Sequence, residues 1–204
     1  MDAVALTETG NLFSMISFYK YAKKHKIKPI IGCEIKISNN VNSYYELVLL
    51  AQNNQGYLNL MKIVSLSYIN SSSGTPMIDQ ALLQKYSEGL IATSSGLKGE
   101  ITHYAALGDY KNAEKAALAY QQIFNDNFYL EIQNHGIEGE VKSHQILDKL
   151  SKDLNISLVA TNDTYYTFKE DADSCNIIRC IGTGKSIHDP NQIIQESTEF
   201  YIKS

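Results

Sequence analysis

The chain has 204 residues, 44% hydrophobic and 20% charged, with 18 basic against 22 acidic side chains and a formal charge of −4. That is globular composition, long enough for one sizeable core, and it excludes the dense basic footprint of an autonomous nucleic-acid binder. Three scattered cysteines (Cys33, Cys175, Cys180) give neither a disulfide framework nor a CxxC knuckle, and no secretory leader or apolar run of about 20 residues is evident, so a cytoplasmic protein without a membrane partner is expected.

Strand-like and helix-like periods alternate from end to end. Val4-Ala5-Leu6 reads as a strand that stops in Thr7-Glu8-Thr9-Gly10-Asn11. Leu12, Met15, Ile16, Tyr19 and Ala22 then recur at helical spacing, with Asn11 as the expected N-cap. The run Lys23-Lys24-His25-Lys26-Ile27-Lys28 closes that helix and reads as a solvated terminus, where cations favour the dipole. Pro29 breaks the helix and Ile30–Ile37 reads as a strand, followed by a polar turn at Ser38-Asn39-Asn40. Tyr45–Ala51 is nearly all apolar, as in a strand buried on both faces.

Gln55–Tyr68 reads as a helix with Leu58, Met61, Val64 and Tyr68 on one stripe, and Asn70–Pro76 as an exposed loop. A short helix (Asp79–Tyr86), a strand (Leu90–Thr93), two helices (Glu100–Leu107 and the Ala-rich Tyr110–Phe124) and a strand (Phe128–Ile132) follow. A helix (Glu140–Leu154), a strand (Ile156–Thr161), a helix (Glu170–Ile181) and an irregular tail up to Phe200-Tyr201-Ile202 complete the order. Successive βα units imply an α/β fold with a mostly parallel sheet, open or closed into a barrel.

Polar residues gather where such strands end: Glu8-Thr9, Glu34, Glu46, Ser94-Ser95-Gly96, Gln133-Asn134-His135-Gly136 and Asn162-Asp163-Thr164-Tyr165. In a parallel sheet these positions share one rim. Carboxylates and imidazoles on a common rim are what a metal-assisted hydrolase needs, since the ion lowers the pKa of bound water. Turns are also polar for structural reasons, with Asn, Asp, Thr and Gly serving as caps and turn formers.

The residues also carry a family resemblance. Ala5–Leu12, Lys28-Pro29-Ile30-Ile31-Gly32-Cys33-Glu34, Glu46–Ala51, Ser87–Ala92 and Gly108-Asp109-Tyr110 occur in order. Phe128–Glu131 with Asn134-His135-Gly136, Val159–Asp163, Thr183–Pro190 and Glu199-Phe200-Tyr201 complete the set. Together they closely resemble the PHP (polymerase and histidinol phosphatase) domain of bacterial DNA polymerase III alpha subunits, over essentially the whole chain. The resemblance implies a distorted TIM-like (βα)7 barrel of PHP type, lacking here its first βα unit. The sequence is accordingly expected to be a fragment, 1–204, that begins after the family's His-x-His strand, with a tail from about 183 leading toward the polymerase module.

Intact members of the family carry a metal cluster on the rim and hydrolyse phosphoesters, including a 3′→5′ exonuclease activity. Against their motifs this chain has Glu8-Thr9 for an Asp-His pair, Glu46 for a His, Gly96 for a Cys, and Tyr165 for a His; Glu34, His135 and Asp163 match. The resemblance therefore leaves Glu34, Asp163, Glu46, His135 and Glu8 as vestigial metal candidates, and Thr9, Gly96 and Tyr165 as degenerate positions. That set is mainly oxygen and suits at most one weakly held divalent cation (Mg²⁺, Mn²⁺ or Zn²⁺). Carboxylates crowded without a cation would raise one another's pKa. The expected role is non-catalytic. It is that of a structural module with the rest of the alpha subunit and the proofreading exonuclease subunit as partners, touching DNA only through the holoenzyme. The alternative is a metal-dependent phosphoesterase or 3′→5′ exonuclease with an oxygen-rich site.

Gly182-Thr183-Gly184-Lys185-Ser186 ends like a phosphate loop but follows a helix and lacks the first glycine, so it reads as a helix-ending turn. His25, His103 and His144 read as solvated residues on helix surfaces, and the helical tyrosines as core.

Overall fold

The first apolar run forms strand β1 (Ala3–Thr9), and the amphipathic segment after it forms α1 (Met15–Lys24). β2 (Lys28–Asn40), β3 (Ser43–Ala51), α2 (Asn54–Ile69), α3 (Gln80–Lys85) and β4 (Leu90–Thr93) follow. Then come α4 (Glu100–Ala106), α5 (Tyr110–Phe124), β5 (Phe128–Ile132), α6 (Glu138–Leu154), β6 (Leu158–Ala160) and α7 (Ala172–Thr183). The computed structural model describes residues 1–40, 43–71, 74–189 and 197–203. Ser72 and Ser73 of the expected loop, and Pro190, 191–196 and Ser204 of the expected tail, lie outside the described residues.

The six strands form one sheet in the order β1-β2-β3-β4-β5-β6. β1–β2, β4–β5 and β5–β6 pair in parallel, whereas β3 runs antiparallel to both of its neighbours. The sheet curls into a half-barrel, with β1 and β6 as its edges among the described residues. The reversal of β3 corrects the expectation of uniform βα units. Ser38-Asn39-Asn40, read as a turn, is instead the end of a long β2 that pairs onward as a hairpin, with Ile37 opposite Tyr45. Because β3 is reversed, its start lies beside the strand ends, so Glu46 still reaches the rim.

Helices cover the sheet from the core side. Leu60 and Ile63 of α2, Ile101 of α4, Tyr120 of α5, and Leu147 and Leu150 of α6 pack on Ile35, Leu47, Leu49, Leu90 and Leu130. Two expected apolar stripes hold only in part: Leu12 and Val64 pack against the core. In α2 the buried positions are Gly56, Asn59, Leu60, Ile63 and Ser67, while Leu58 and Tyr68 face solvent. In α1 only Ala22 is buried; Ile16 and Tyr19 are exposed. Period alone fixes a helix but not its rotation, and Leu60 and Ile63 bury as effectively as the stripe beside them.

The caps explain most of the remaining boundaries. Asp79 accepts from Leu82 N–H (2.8 Å) and Asp109 from Asn112 N–H (3.2 Å), each at an N-cap. Asn11 is a turn residue, not the cap of α1: its side chain accepts from Phe13 N–H (3.1 Å) and donates to the Thr9 carbonyl (3.1 Å), and α1 begins after Ser14. Gly184, with φ of 66°, ends α7, which makes the Gly-Lys-Ser stretch the end of a helix. No helix among the described residues is long and apolar enough to cross a membrane.

Candidate functional site

The ends of β1, β4, β5 and β6 form one rim with the middle of β2 at Glu34 and the first half of β3 around Glu46. Glu34 sits at its centre, half-buried and opposite Thr9 in the β1–β2 register. The Thr9 hydroxyl donates to Glu34 Oε2 (2.7 Å). Burial is the largest influence on this carboxyl and pushes its pKa up to about 7. The Thr9 bond opposes the shift, and the charges of Asp163 and Glu46 add to it. The crowding expected from sequence is therefore real, but desolvation outweighs repulsion.

The other candidates each have a protein partner. Glu8 turns away from the rim and accepts from Ser14 N–H (3.0 Å) and Ser14 Oγ (2.9 Å), capping α1 with its carboxylate. Gly10, at φ of 70°, makes this turn possible and donates its N–H to the Glu34 carbonyl (2.8 Å). Glu46 is buried, with Lys98 Nζ 3.5 Å from its Oε2. The Tyr165 hydroxyl hydrogen-bonds to Asp163, and burial followed by that charge raises the phenol's pKa. The Arg179 guanidinium lies over the same ring at 4.8 Å.

His135 is 1% exposed and belongs to a separate cluster. Its Nδ1 meets Glu140 Oε1 at 2.7 Å, its backbone N–H donates to Glu140 Oε2 (2.6 Å), and Phe200 stacks on its ring at 4.3 Å. The tail clasps this cluster: Ser197 Oγ donates to the His135 carbonyl (2.5 Å), and Tyr165 N–H to the Phe200 carbonyl (2.9 Å).

The space in front of Gly96 is filled. A Cβ there would stand 2.2 Å from Gln133 Oε1, so the Gln133 amide occupies the direction a larger side chain would take. Gln133 Nε2 in turn donates to Glu131 Oε1 (2.7 Å), which also accepts from Thr161 Oγ1 (2.5 Å), while Thr93 Oγ1 donates to Glu131 Oε2. Glu131 is buried and satisfied entirely by neutral donors. Sequence reasoning missed this group. The signal was a lone carboxylate between Leu130 and Ile132 at a strand end. It also placed His144 in solvent, whereas His144 Nε2 lies 2.9 Å from the Gln133 carbonyl and is partly buried.

These donors do not fit a closed metal centre. No group of three or more His, Cys, Asp or Glu side chains among the described residues could hold a metal ion. His135 alone has the carboxylate-backed form of a ligating imidazole, with Nε2 buried and lacking a hydrogen-bond partner. A single nitrogen under a stacked phenyl ring does not make a coordination sphere.

A family model described as "PHP domain" matches residues 1–135. A protein of Borreliella burgdorferi named DNA polymerase III subunit alpha is 42% identical across 100% of this chain and 19% of its own length. The proteins of that name from Campylobacter jejuni (40% identical, 99% of this chain, 18% of its own length) and Thermus aquaticus (34%, 99%, 18%) are similar. The chain thus spans about a fifth of the length of the curated relatives it matches.

Proposed function

The chain belongs to the PHP-domain family and corresponds to the PHP portion of DNA polymerase III alpha subunits, and from that premise we propose that it is a non-catalytic module of a replicative DNA polymerase. The observation that carries this reading is the rim itself. Glu8 is bound to Ser14, Glu46 to Lys98, Asp163 to Tyr165, Glu34 to Thr9, and His135 to Glu140. Groups of the kind that hold a cation in hydrolytic PHP sites are here tied to hydroxyls, an ammonium and a carboxylate of the protein. The module completes a PHP-type barrel within the alpha subunit, supports the polymerase module in the cytoplasm, and offers its surface to the proofreading exonuclease subunit. At most a single hard cation such as Mg²⁺ is held weakly at the rim.

The second reading, a 3′→5′ exonuclease with an oxygen-rich site, draws on the proximity of Glu34, Asp163 and Glu46, which feel one another's charge. One experiment separates the two. The purified chain is assayed for bound metal by elemental analysis, then for nucleotide release from a 3′-labelled single-stranded oligonucleotide with Mg²⁺, Mn²⁺ or Zn²⁺. Background release and substoichiometric metal are expected. Stoichiometric metal with release that Glu34→Gln abolishes would establish the exonuclease.

A further inference from the structure

Helix α1 and the turn after it stand apart from the rest of this acidic chain. From Thr9 to Cys33 there is no Asp or Glu, while Lys20, Lys23, Lys24, Lys26 and Lys28 fall within nine residues. None of the five forms an ion pair among the described residues. Lys28 belongs to β2, where its N–H donates to the Asp2 carbonyl (2.9 Å), so the charge carried by α1 and the turn after it is that of Lys20, Lys23, Lys24 and Lys26. Two lysines in a last turn are enough to serve the helix dipole. This segment carries more, and it carries aromatic surface as well.

Phe13 is 87% exposed, Tyr21 67%, Ile16 60% and Tyr19 45%, although a helix of this period normally buries such residues. At about 100° per residue, Tyr19 and Tyr21 flank the row formed by Lys20 and Lys24. Lys23 Nζ lies 5.9 Å from the Tyr19 ring centroid, and the Tyr21 and His25 rings are tilted at 40° with centroids 4.7 Å apart. Both tyrosines are exposed, and Tyr19 lies beside an ammonium.

We propose that this face of α1 is a contact surface for single-stranded nucleic acid. Ammonium groups track the phosphates, and Tyr19 and Tyr21 offer π-faces to bases. A purely acidic peptide would use the lysines but leave the rings without a partner, so the observations favour the nucleic acid. The net charge of −4 hides this local asymmetry and keeps the contact weak and salt-sensitive. The contact is independent of the rim and of whether the rim hydrolyses anything.

The test titrates the full chain, in EDTA, into a fluorescein-labelled thymidine 20-mer, read by anisotropy at several NaCl concentrations. Expected are dissociation constants of about 10⁻⁶–10⁻⁴ M and a slope of log K against log salt of about −2 to −3, from three or four phosphates neutralised. The triple variant Lys20→Glu/Lys23→Glu/Lys24→Glu loses at least about tenfold, whereas Lys62→Glu/Lys111→Glu/Lys149→Glu, with the same charge change, stays within about twofold. Tyr19→Ala/Tyr21→Ala weakens the thymidine oligomer about fivefold or more but not an abasic oligomer of equal length. The milder Lys→Gln triple is used should charge reversal lower the circular dichroism signal. Absence of salt-dependent binding, equal loss in both triple variants, or equal affinity for polyglutamate and the oligonucleotide would each overturn the proposal.

Discussion

Replacing Glu34 by glutamine should stabilise the chain at neutral pH and leave it unchanged in acid. Burial raises the native pKa of Glu34 from 4.5 to about 7, so the folded state holds a proton that the unfolded chain releases. The penalty for ionising this carboxyl is absent well below the unfolded value of 4.5, sets in as pH rises through that value, and is complete above about pH 7. At about 1.4 kcal/mol per pH unit the full effect is about 3 kcal/mol, and partial hydration of the half-buried side chain reduces it to roughly 1.5–3 kcal/mol. For a chain of this size that corresponds to about 4–10 °C in Tm. The amide that Glu34→Gln introduces still accepts the Thr9 hydroxyl through its Oε1 and carries no charge for Asp163 and Glu46 to repel. Thermal melts of both chains at pH 5, 6, 7 and 8, in EDTA and at constant ionic strength, should differ least at pH 5, by about a quarter of the full effect, and diverge steadily, with the Glu34→Gln variant higher. Glu100, whose pKa burial also raises, titrates in both chains and cancels in the difference. Parallel melting curves across that range would refute the reasoning, because the native site would then carry no ionisation penalty at Glu34.

Glu140→Ala should be among the most damaging single changes, since it strips partners from both the buried ring and the backbone N–H of His135; about 3–5 kcal/mol is expected, read as loss of denaturation midpoint in urea. Phe200→Ala removes the ring stacked on His135, so proteolysis within 197–203 should accelerate by at least about tenfold while the core helices stay protected in hydrogen exchange. Cys33 is fully buried and its thiol is pushed up to about 12, chiefly by desolvation. Iodoacetamide at pH 8 should therefore label it only after denaturation, and peptide mapping would reveal any native labelling. Glu131→Gln places an amide donor among Thr93, Gln133 and Thr161, which already donate, and should lower stability by about 1–3 kcal/mol at every pH between 6 and 8, as urea titrations at each pH would show.

The order of elements was legible because each carries its own local signal. The α5 and β5 boundaries match the sequence reading, the first fixed by the Asp109 cap and both by uninterrupted periods. What period could not supply was rotation and direction. Leu58 and Leu60 are equally apolar, and only the curvature of the sheet against α2 decides that Leu60 is inside. Likewise nothing in Tyr45–Ala51 states that β3 runs against its neighbours. That follows from β2 continuing past Ile37 into a hairpin, through residues a propensity argument gives to a turn.

The rim shows the same division at higher resolution. Glu34, Glu46 and Asp163 were recognisable as neighbours, and Thr9 and Tyr165 as positions of the same rim, yet the pairing was not, because it depends on strand register and on Lys98, a lysine before α4 with no chemical signature. Glu8 is the clearest case. In sequence it stands at the place of a ligand, and in the structure the same turn aims it at Ser14, where it satisfies a helix start that Asn11 had seemed to cap. A carboxylate that caps a helix is held by donors the fold must satisfy in any event. Glu8 can therefore persist at a ligand position without a metal, and its presence there is no argument for hydrolysis.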